Sequence, residues 1–501
     1  RVQAEPVPPL VERWMTQLDR YVELGLERKD DPEAPAKFSY QAAEMLYRFK
    51  NFEPMRERAK KIIDNYTTSS VASSAAALIL NSFKLESDWE NIQKWTNVLA
   101  EKNLGSEEDR AKLAAALRVF SLGARFKTAE KLLDDKKYVE AATEFERLAL
   151  QEKVEYADKA LYNAAMAYMQ AKHYDKASKA FELILTNSRF AKSEFREMAL
   201  FQVAENSKKF FDFEKAISSY LALYRRYPKN ENSPYSLFQA ASLLDEDGRD
   251  AEAAGFFEEY TKVYEGRDDA VFALYKAANA WKTVDNASKE KRALELFAQR
   301  GRGQRDVGKF VLESLVRLGE KALKKNKQKD AKRYFQDIIA LFRQRGYAPG
   351  SPESAHAARA QFELVEMTFR RYQRVQLKGN MRQMGLQIQQ AQALLNELVE
   401  GYSHVFPFQH LDWTFAAFFR IGQVHQEFAQ KLYDAPEPKG LNEEELDIYR
   451  TQLEDEGTRW EDVAVQKYEE MIREARARKV TNAWVRKALV FLNKFKPAEY
   501  P

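Results

Sequence analysis

The sequence predicts an all-α chain: a helical-pair solenoid, wound as a superhelix, with an additional α-helical C-terminal region. Three observations carry this. First, the stretch Ala160-Leu161-Tyr162-Asn163-Ala164-Ala165-Met166-Ala167-Tyr168 returns in altered form as Ala199-Leu200-Phe201-Gln202-Val203-Ala204, Ser236-Leu237-Phe238-Gln239-Ala240-Ala241 and Ala273-Leu274-Tyr275-Lys276-Ala277-Ala278. A period in the upper thirties is that of a stacked helical pair. Second, each copy is followed by a second stripe with apolar residues three or four apart, the spacing of one helical face. Third, breakers are scarce, with 18 Gly and 15 Pro in 501 residues.

Taken in order, Arg1 to Leu10 is proline-punctuated and reads as an extended lead-in, and Val11 to Glu27 has helical spacing. Asp30-Asp31-Pro32 breaks it. The array begins near Ser39-Tyr40-Gln41-Ala42-Ala43, and a looser pair from Val71 to Lys102 turns near Asp88-Trp89. Leu104 to Gly123 reads as an extra helical segment. From Arg125 the repeat is regular. Its second-helix stripes are Tyr138, Ala141, Phe145, Leu148; Tyr174, Ala177, Phe181, Ile184; Phe213, Ala216, Tyr220, Leu223; and Ala253, Phe257, Tyr260. Weaker copies are Ala293, Phe297 and Ala331, Phe335, Ile338. A small residue lets two helices approach at their crossing, and aromatics fill the space beside it.

After Gly346-Tyr347-Ala348-Pro349-Gly350-Ser351-Pro352 the pattern changes. Helices are expected over His356–Tyr372, Met381–Tyr402, Leu411–Leu432, Leu441 to about Glu456, Trp460–Ala477 and Thr481–Lys494, with Asn442 and Thr481 as N-caps. The organisation is therefore a lead-in and helix over 1–35, an array over 36–345, and a helical C-terminal region with an aromatic belt over 346–501.

The array resembles the tetratricopeptide repeat at those residues: small residue, aromatic, alanine, aromatic at recurring offsets, over roughly 36–345. Its period runs about two to five residues above the usual 34. That longer spacing is similar to the repeats common in bacterial envelope proteins.

Composition excludes several classes. With 80 Lys and Arg against 76 Asp and Glu, the net charge of +4 gives no global field for nucleic acid. The absence of cysteine removes disulfides, thiol catalysis and cysteine metal sites. No run of about 18 apolar residues spans a membrane. The five histidines, His173, His356, His404, His410 and His425, include no pair at helical i, i+4 metal spacing. No GxSxG, Walker loop or paired-glycine fingerprint occurs. No catalytic, cofactor or metal residue is expected, and no cofactor.

Two sets of residues are candidates for binding proteins. Phe126, Tyr162, Phe201, Phe238 and Tyr275, with Tyr40 outlying, each sit three residues before the packing alanine of a first helix. They form either a groove-lining strip that holds a partner's extended or helical segment, or consensus residues packed between neighbouring pairs. The second set is the aromatic belt around Pro407, with Phe406, Phe408, Trp413, Phe418 and Phe419 as the candidate contacts among neighbours Tyr402, Phe415 and Phe428. It serves either internal packing or a protein interface. Charge is also segregated. Residues 300–345 carry fourteen Lys and Arg against five acids, net +9, and residues 442–462 carry nine acids against two Arg, net −7. An acidic partner, anionic lipid heads or an intramolecular clasp fits the basic zone, as do solvated helix faces.

The C-terminal run Ala417-Phe418-Phe419-Arg420-Ile421-Gly422-Gln423, Glu427-Phe428-Ala429, Pro436-Glu437-Pro438-Lys439-Gly440-Leu441-Asn442-Glu443-Glu444-Glu445, Tyr449, Ala464, Tyr468-Glu469, Asn482-Ala483-Trp484 and Pro497-Ala498-Glu499-Tyr500-Pro501 resembles the tail of tetratricopeptide proteins in the gliding-motility machinery of myxobacteria and relatives. The resemblance implies a periplasmic, non-enzymatic component of a trans-envelope complex with outer-membrane-associated partners. A start at Arg1 without Met fits a removed export signal; a cytoplasmic chain is the alternative. The expectation is a protein–protein interaction scaffold, with an assembly factor or client-binding module for outer-membrane or exported proteins as the second reading.

Overall fold

The computed structural model describes residues 2–26, 28–151 and 154–501; Arg1, at the head of the expected lead-in, and Glu27, at the expected end of the first helix, lie outside the described residues. Among the described residues the regular elements are 22 α-helices and two 3-10 turns. They fall into two compact units, residues 1–240 and 241–501.

In the first unit, α1 (Pro9–Glu23) begins on a proline, which has no N–H to leave unpaired at a helix start. Then follow α2 (Ala34–Arg48), α3 (Phe52–Asn65), α4 (Ala72–Glu86), α5 (Trp89–Ala100), α6 (Glu107–Asp134), α7 (Tyr138–Ala149), α8 (Ala157–Gln170), α9 (Tyr174–Thr186), α10 (Arg196–Lys209) and α11 (Phe213–Arg226). Each packs on its sequence neighbours. The extra segment expected over Leu104–Gly123 and the repeat helix expected from Arg125 are one 28-residue helix, α6. Ser106 and Asp109 close a capping box at its start, and Gly123, with open space around it, interrupts nothing. The division between units falls inside α12 (Ser233–Glu246).

The second unit continues with α13 (Asp250–Val263), α14 (Ala270–Thr283), α15 (Ala287–Gly301), α16 (Gly308–Lys324) and α17 (Gln328–Gln344). Longer helices follow: α18 (Pro352–Gln373), α19 (Met381–Ser403), α20 (Leu411–Tyr433), α21 (Glu443–Ala477) and α22 (Ala483–Phe495). The two helices expected on either side of Gly457 are one 35-residue helix, α21. Gly457 is buried against the Tyr433 ring, so it marks a close crossing with α20 rather than a break. Asn442 caps α21 with Glu445, as its position predicted. At α22 the cap is Asn482, whose side chain accepts from the N–H groups of Trp484 and Val485, and not Thr481.

The stripes are the core. Ala141, Phe145, Leu148, Ala177, Phe181, Ile184, Ala216, Tyr220 and Leu223 are fully buried in the first unit, and Ala253, Phe257, Tyr260, Phe297, Phe335 and Ile338 in the second. Burying a large apolar side chain contributes about 1.5–3 kcal/mol, so repeated stripes hold neighbouring pairs together with no single dominant centre.

One turn is reused. The residue two places before each second helix has a left-handed backbone: Lys50, Ser87, Lys136, Lys172 and Phe211 in the first unit, and Gly248, Asp285 and Asn326 in the second. Its N–H closes a short bond back onto the first helix, as from Lys172 to the Met169 carbonyl at 3.0 Å. Only glycine adopts this conformation without a Cβ penalty, about 1–2 kcal/mol per residue otherwise. Glycine also loses more freedom on folding, about 0.5–1 kcal/mol. At exposed Lys172, Lys172→Gly is expected to stabilise the protein by about 0.5–1 kcal/mol. An unchanged or lower urea midpoint would refute this.

Candidate interaction surfaces

The aromatic ladder is distributed over both units, with Phe126, Tyr162, Phe201 and Phe238 in the first and Tyr275 in the second. Phe126 and Tyr275 are buried; Tyr162, Phe201 and Phe238 are half-buried. Within the first unit these rings meet aromatics at the start of the following first helix. Phe126 lies edge-on to Tyr156 at 5.2 Å, Tyr162 stacks on Phe195 at 4.7 Å, and Phe201 lies edge-on to Tyr235 at 5.9 Å. Phe126 and Tyr162 also touch Phe145 and Phe181 of their own pairs. In the second unit Tyr275 contacts Phe297 and Phe310, and its hydroxyl donates to Glu313 at 3.0 Å. Offset and edge-on pairs of this kind contribute about 0.5–1.5 kcal/mol beyond their buried area. Phe126, Tyr162 and Phe201 are joints between neighbouring pairs in the first unit, and Tyr275 is one in the second.

The C-terminal belt is brought together around α18, α20, α21 and α22. Phe406 meets Phe418 at 4.6 Å and Phe408 meets Phe342 of α17 at 5.3 Å. Trp413 packs on Phe362 at 5.3 Å. Phe419 bridges Tyr468 and Trp484, at 5.5 and 5.4 Å. Phe408 is buried; Phe406, Trp413, Phe418 and Phe419 are half-buried. Cations lie against rings of this region: Arg359 over Trp413, Lys487 over Trp484, and Arg420 over Trp484 and the buried Phe369. Such contacts contribute about 0.5–1 kcal/mol where exposed.

Beneath the belt runs a polar network that sequence reasoning missed. Arg420 donates through Nε and Nη2 to the two oxygens of Glu366, both at 2.8 Å. The Tyr402 hydroxyl donates to Glu366 Oε1, and Gln423 and Gln373 both donate to Glu427. The Tyr372 hydroxyl donates to the Val424 carbonyl at 3.0 Å. Burial pushes the Tyr402, Tyr372 and Tyr468 hydroxyls well above the usual phenol range, with Glu366 adding to the effect at Tyr402. These phenols act as neutral donors. Burial also raises the Glu363 carboxyl beside the network.

A second missed network lies in the array. Glu290 of α15 is buried and receives Arg317 Nη2 at 2.7 Å and Lys321 Nζ at 2.6 Å from α16. Arg317 Nη1 donates to Asn279 Oδ1 of α14 at 2.7 Å, so one carboxylate ties three helices.

Among the described residues, no group of three or more His, Asp or Glu gathers where a metal ion could be held, and no helix is long and apolar enough to cross a membrane. His425 is buried, its Nδ1 2.7 Å from the Ile421 carbonyl and its ring stacked near Trp460. Burial, opposed by the Ile421 contact, holds its pKa below the ordinary imidazole value. A depressed folded-state pKa means the unfolded chain binds the proton first as pH falls. Stability from neutral His425 is present above the unfolded pKa of about 6.5 and is lost as pH drops below it. His425→Gln is therefore expected to narrow its stability gap to the wild type between pH 7.5 and 5.5. A gap constant in pH, read by urea melts, would show that His425 does not titrate in that window.

Helices packed pair on pair around repeated alanine and aromatic stripes define a helical-repeat protein. Residues 159–188, spanning most of α8 and all of α9, match the family model described as tetratricopeptide repeat. No curated protein sequence matches it. Solved structures similar to it include nearly identical TPR-like repeats attributed to a Podosopora anserina kinesin light chain. That match is 14% identical, covers 37% of this chain and 97% of the other, and has a TM-score of 0.27. The TPR domain of P58(IPK) is 14% identical over 72% of this chain and 95% of its own, with a TM-score of 0.22.

Proposed function

We propose that this tetratricopeptide-repeat interaction module is a non-enzymatic scaffold of a bacterial cell-envelope complex, of the gliding-motility type, working in the periplasm. The observation that supports a scaffold is the repeated joint: Phe126, Tyr162 and Phe201 each pack one pair onto the next, and the half-buried rings of Tyr162, Phe201 and Phe238 are of similar chemistry. Rows of that kind hold extended or helical segments of protein partners. The half-buried rings of the belt offer a second contact surface. The envelope setting is supported by the resemblance of the tail from Ala417 to Pro501, and the partners it calls for are outer-membrane-associated proteins rather than nucleic acid.

Crosslinking in native cells followed by pull-down tests the setting. Stoichiometric recovery of envelope proteins is expected, with the protein in the periplasmic fraction. Cytosolic fractionation defeats the periplasmic placement, and transient capture of unfolded outer-membrane clients replaces the scaffold by an assembly factor. For the groove, combined Y162L, F201L and F238L keeps apolar bulk while removing the aromatic edges. It is expected to weaken partner recovery on the order of tenfold or more. Unchanged recovery by a folded triple variant rules the groove out.

A further inference from the structure

We propose that the basic ridge formed by the α16–α17 turn and the start of α15 binds the acidic face of α21 in a second copy of this chain. Both surfaces lie in the second unit, and the inference stands apart from the envelope reading.

Lys324, Lys325, Lys327, Lys329, Lys332 and Arg333 are all exposed, and no ion pair with an acid engages any of them among the described residues. Lys291 of α15, which pairs with Glu295 on its own helix at 3.6 Å, shares a small cavity with Lys325, Lys327 and Tyr334, so the start of α15 faces the α16–α17 turn. Four other cations of the basic zone are engaged: Arg300 with Glu265, Arg302 with Asp337, Arg317 and Lys321 with Glu290. The six cations of the turn take no part in such pairs among the described residues. Lys324 sits at a helix C-terminus, where the backbone dipole favours a cation. Lys327, Lys329 and Lys332 sit at the N-terminal end of α17, where the dipole disfavours one by about 0.3–1 kcal/mol each. Helix stability does not account for them, and mutual repulsion adds to the cost.

The acidic counterpart has the same character. In α21 the inward stripe is Tyr449, Leu453, Gly457, Trp460 and Ala464. Glu443, Glu444 and Glu445 occupy the first turn, where the dipole favours acids. Asp447, Glu454, Asp455 and Asp462 are exposed further along, beyond that help, and the exposed Ile448 adds an apolar contact to this face. At 1.5 Å per residue the acidic stretch is about 30 Å long. Arg450 pairs with Glu437 and Asp447, and Arg459 with Glu456; no ion pair joins α21 to the ridge among the described residues. Within the chain α21 packs on α20 and α22, while α17 packs on α16 and α18. The six cations of the turn and the acids Glu454, Asp455 and Asp462 of α21 are thus exposed and in no ion pair among the described residues. Complementary patches of this kind steer association and set its register. A lipid surface is less well matched, because the ridge carries no exposed aromatic to insert. The contact joins two different surfaces, so copies meet ridge to helix, closing reciprocally in a dimer or continuing to larger assemblies.

The full chain is examined by sedimentation at low and high salt. Association at 50 mM salt is expected, weakening at least tenfold by 500 mM as screening shortens the reach of exposed charges. K325E/K327E/K329E and, separately, E454K/D455K/E456K are each expected to sediment as monomers with unchanged melting curves. Their mixture restores a complex, because each variant then presents the charge the other lacks. A control reversal at exposed Lys60 and Lys61 leaves association intact. The proposal is overturned if the wild type is monomeric at low salt, if the control reversal disrupts association equally, or if the mixed variants stay apart. Binding of the wild type to anionic vesicles or to an RNA homopolymer without self-association likewise overturns it.

Discussion

Glu290→Ala is expected to destabilise the protein by about 3–5 kcal/mol, the cost of breaking a buried ion pair from one side. The carboxylate is 3% exposed and holds two cations. Alanine would leave the Arg317 guanidinium, itself only 13% exposed at the side chain, with Asn279 as its one remaining hydrogen-bond partner among the described residues. The loss therefore exceeds that of the lysine, which can turn to water. Replacing both Glu290 and Arg317 by leucine is expected to recover most of the loss, since no unpaired charge then remains inside. The measurement is urea unfolding of the three proteins. Equal stability of E290A and wild type would mean that water reaches the site and the pair is a surface contact.

Gly422→Val is expected to cost about 2–3 kcal/mol through overpacking. A Cβ at Gly422 would lie 2.7 Å from the Tyr468 ring, and that ring is fully buried with its hydroxyl on Gln426. Tyr468 in turn touches Phe419 and Phe491, so it has nowhere to move without disturbing the joint of α20, α21 and α22. Gly385 is the control. It lies in α19 with open space around it, and Gly385→Ala is expected to stabilise by up to about 1 kcal/mol. Opposite signs at two helical glycines would show that contact, not propensity, decides the first. A destabilised G385A, or a neutral G422V, would refute the close-packing account.

The repeat was legible because its signal is redundant. Alanines such as Ala141, Ala177 and Ala216 recur at the same offset as their aromatic partners, and all prove fully buried. The helix boundaries failed where a local cue was read without its neighbour. Gly457 reads as a break by propensity, yet it is where α21 touches Tyr433. Thr481 and Asn482 are both capping residues, and only the backbone geometry selects Asn482. Glu290 was missed because Lys289-Glu290-Lys291-Arg292 reads as solvated surface. Its spacing to Leu294 and Phe297, four and seven residues on, was the one available sign that it faces inward. Nothing local marks Glu366, whose partners Tyr402 and Arg420 are 36 and 54 residues away.

The sequence by itself determined the class of fold, the stripes that form its core, the ladder and belt as aromatic sets, and the segregation of charge. These follow from periodicity, and a period is a property of neighbours along the chain. Tertiary structure alone decided which rings meet, which charges are used up in internal pairs, and which remain open on the α16–α17 ridge and on α21. Those outcomes depend on distances between helices far apart in sequence, and burial rather than residue type sets whether a charge is paired inside or left for a partner.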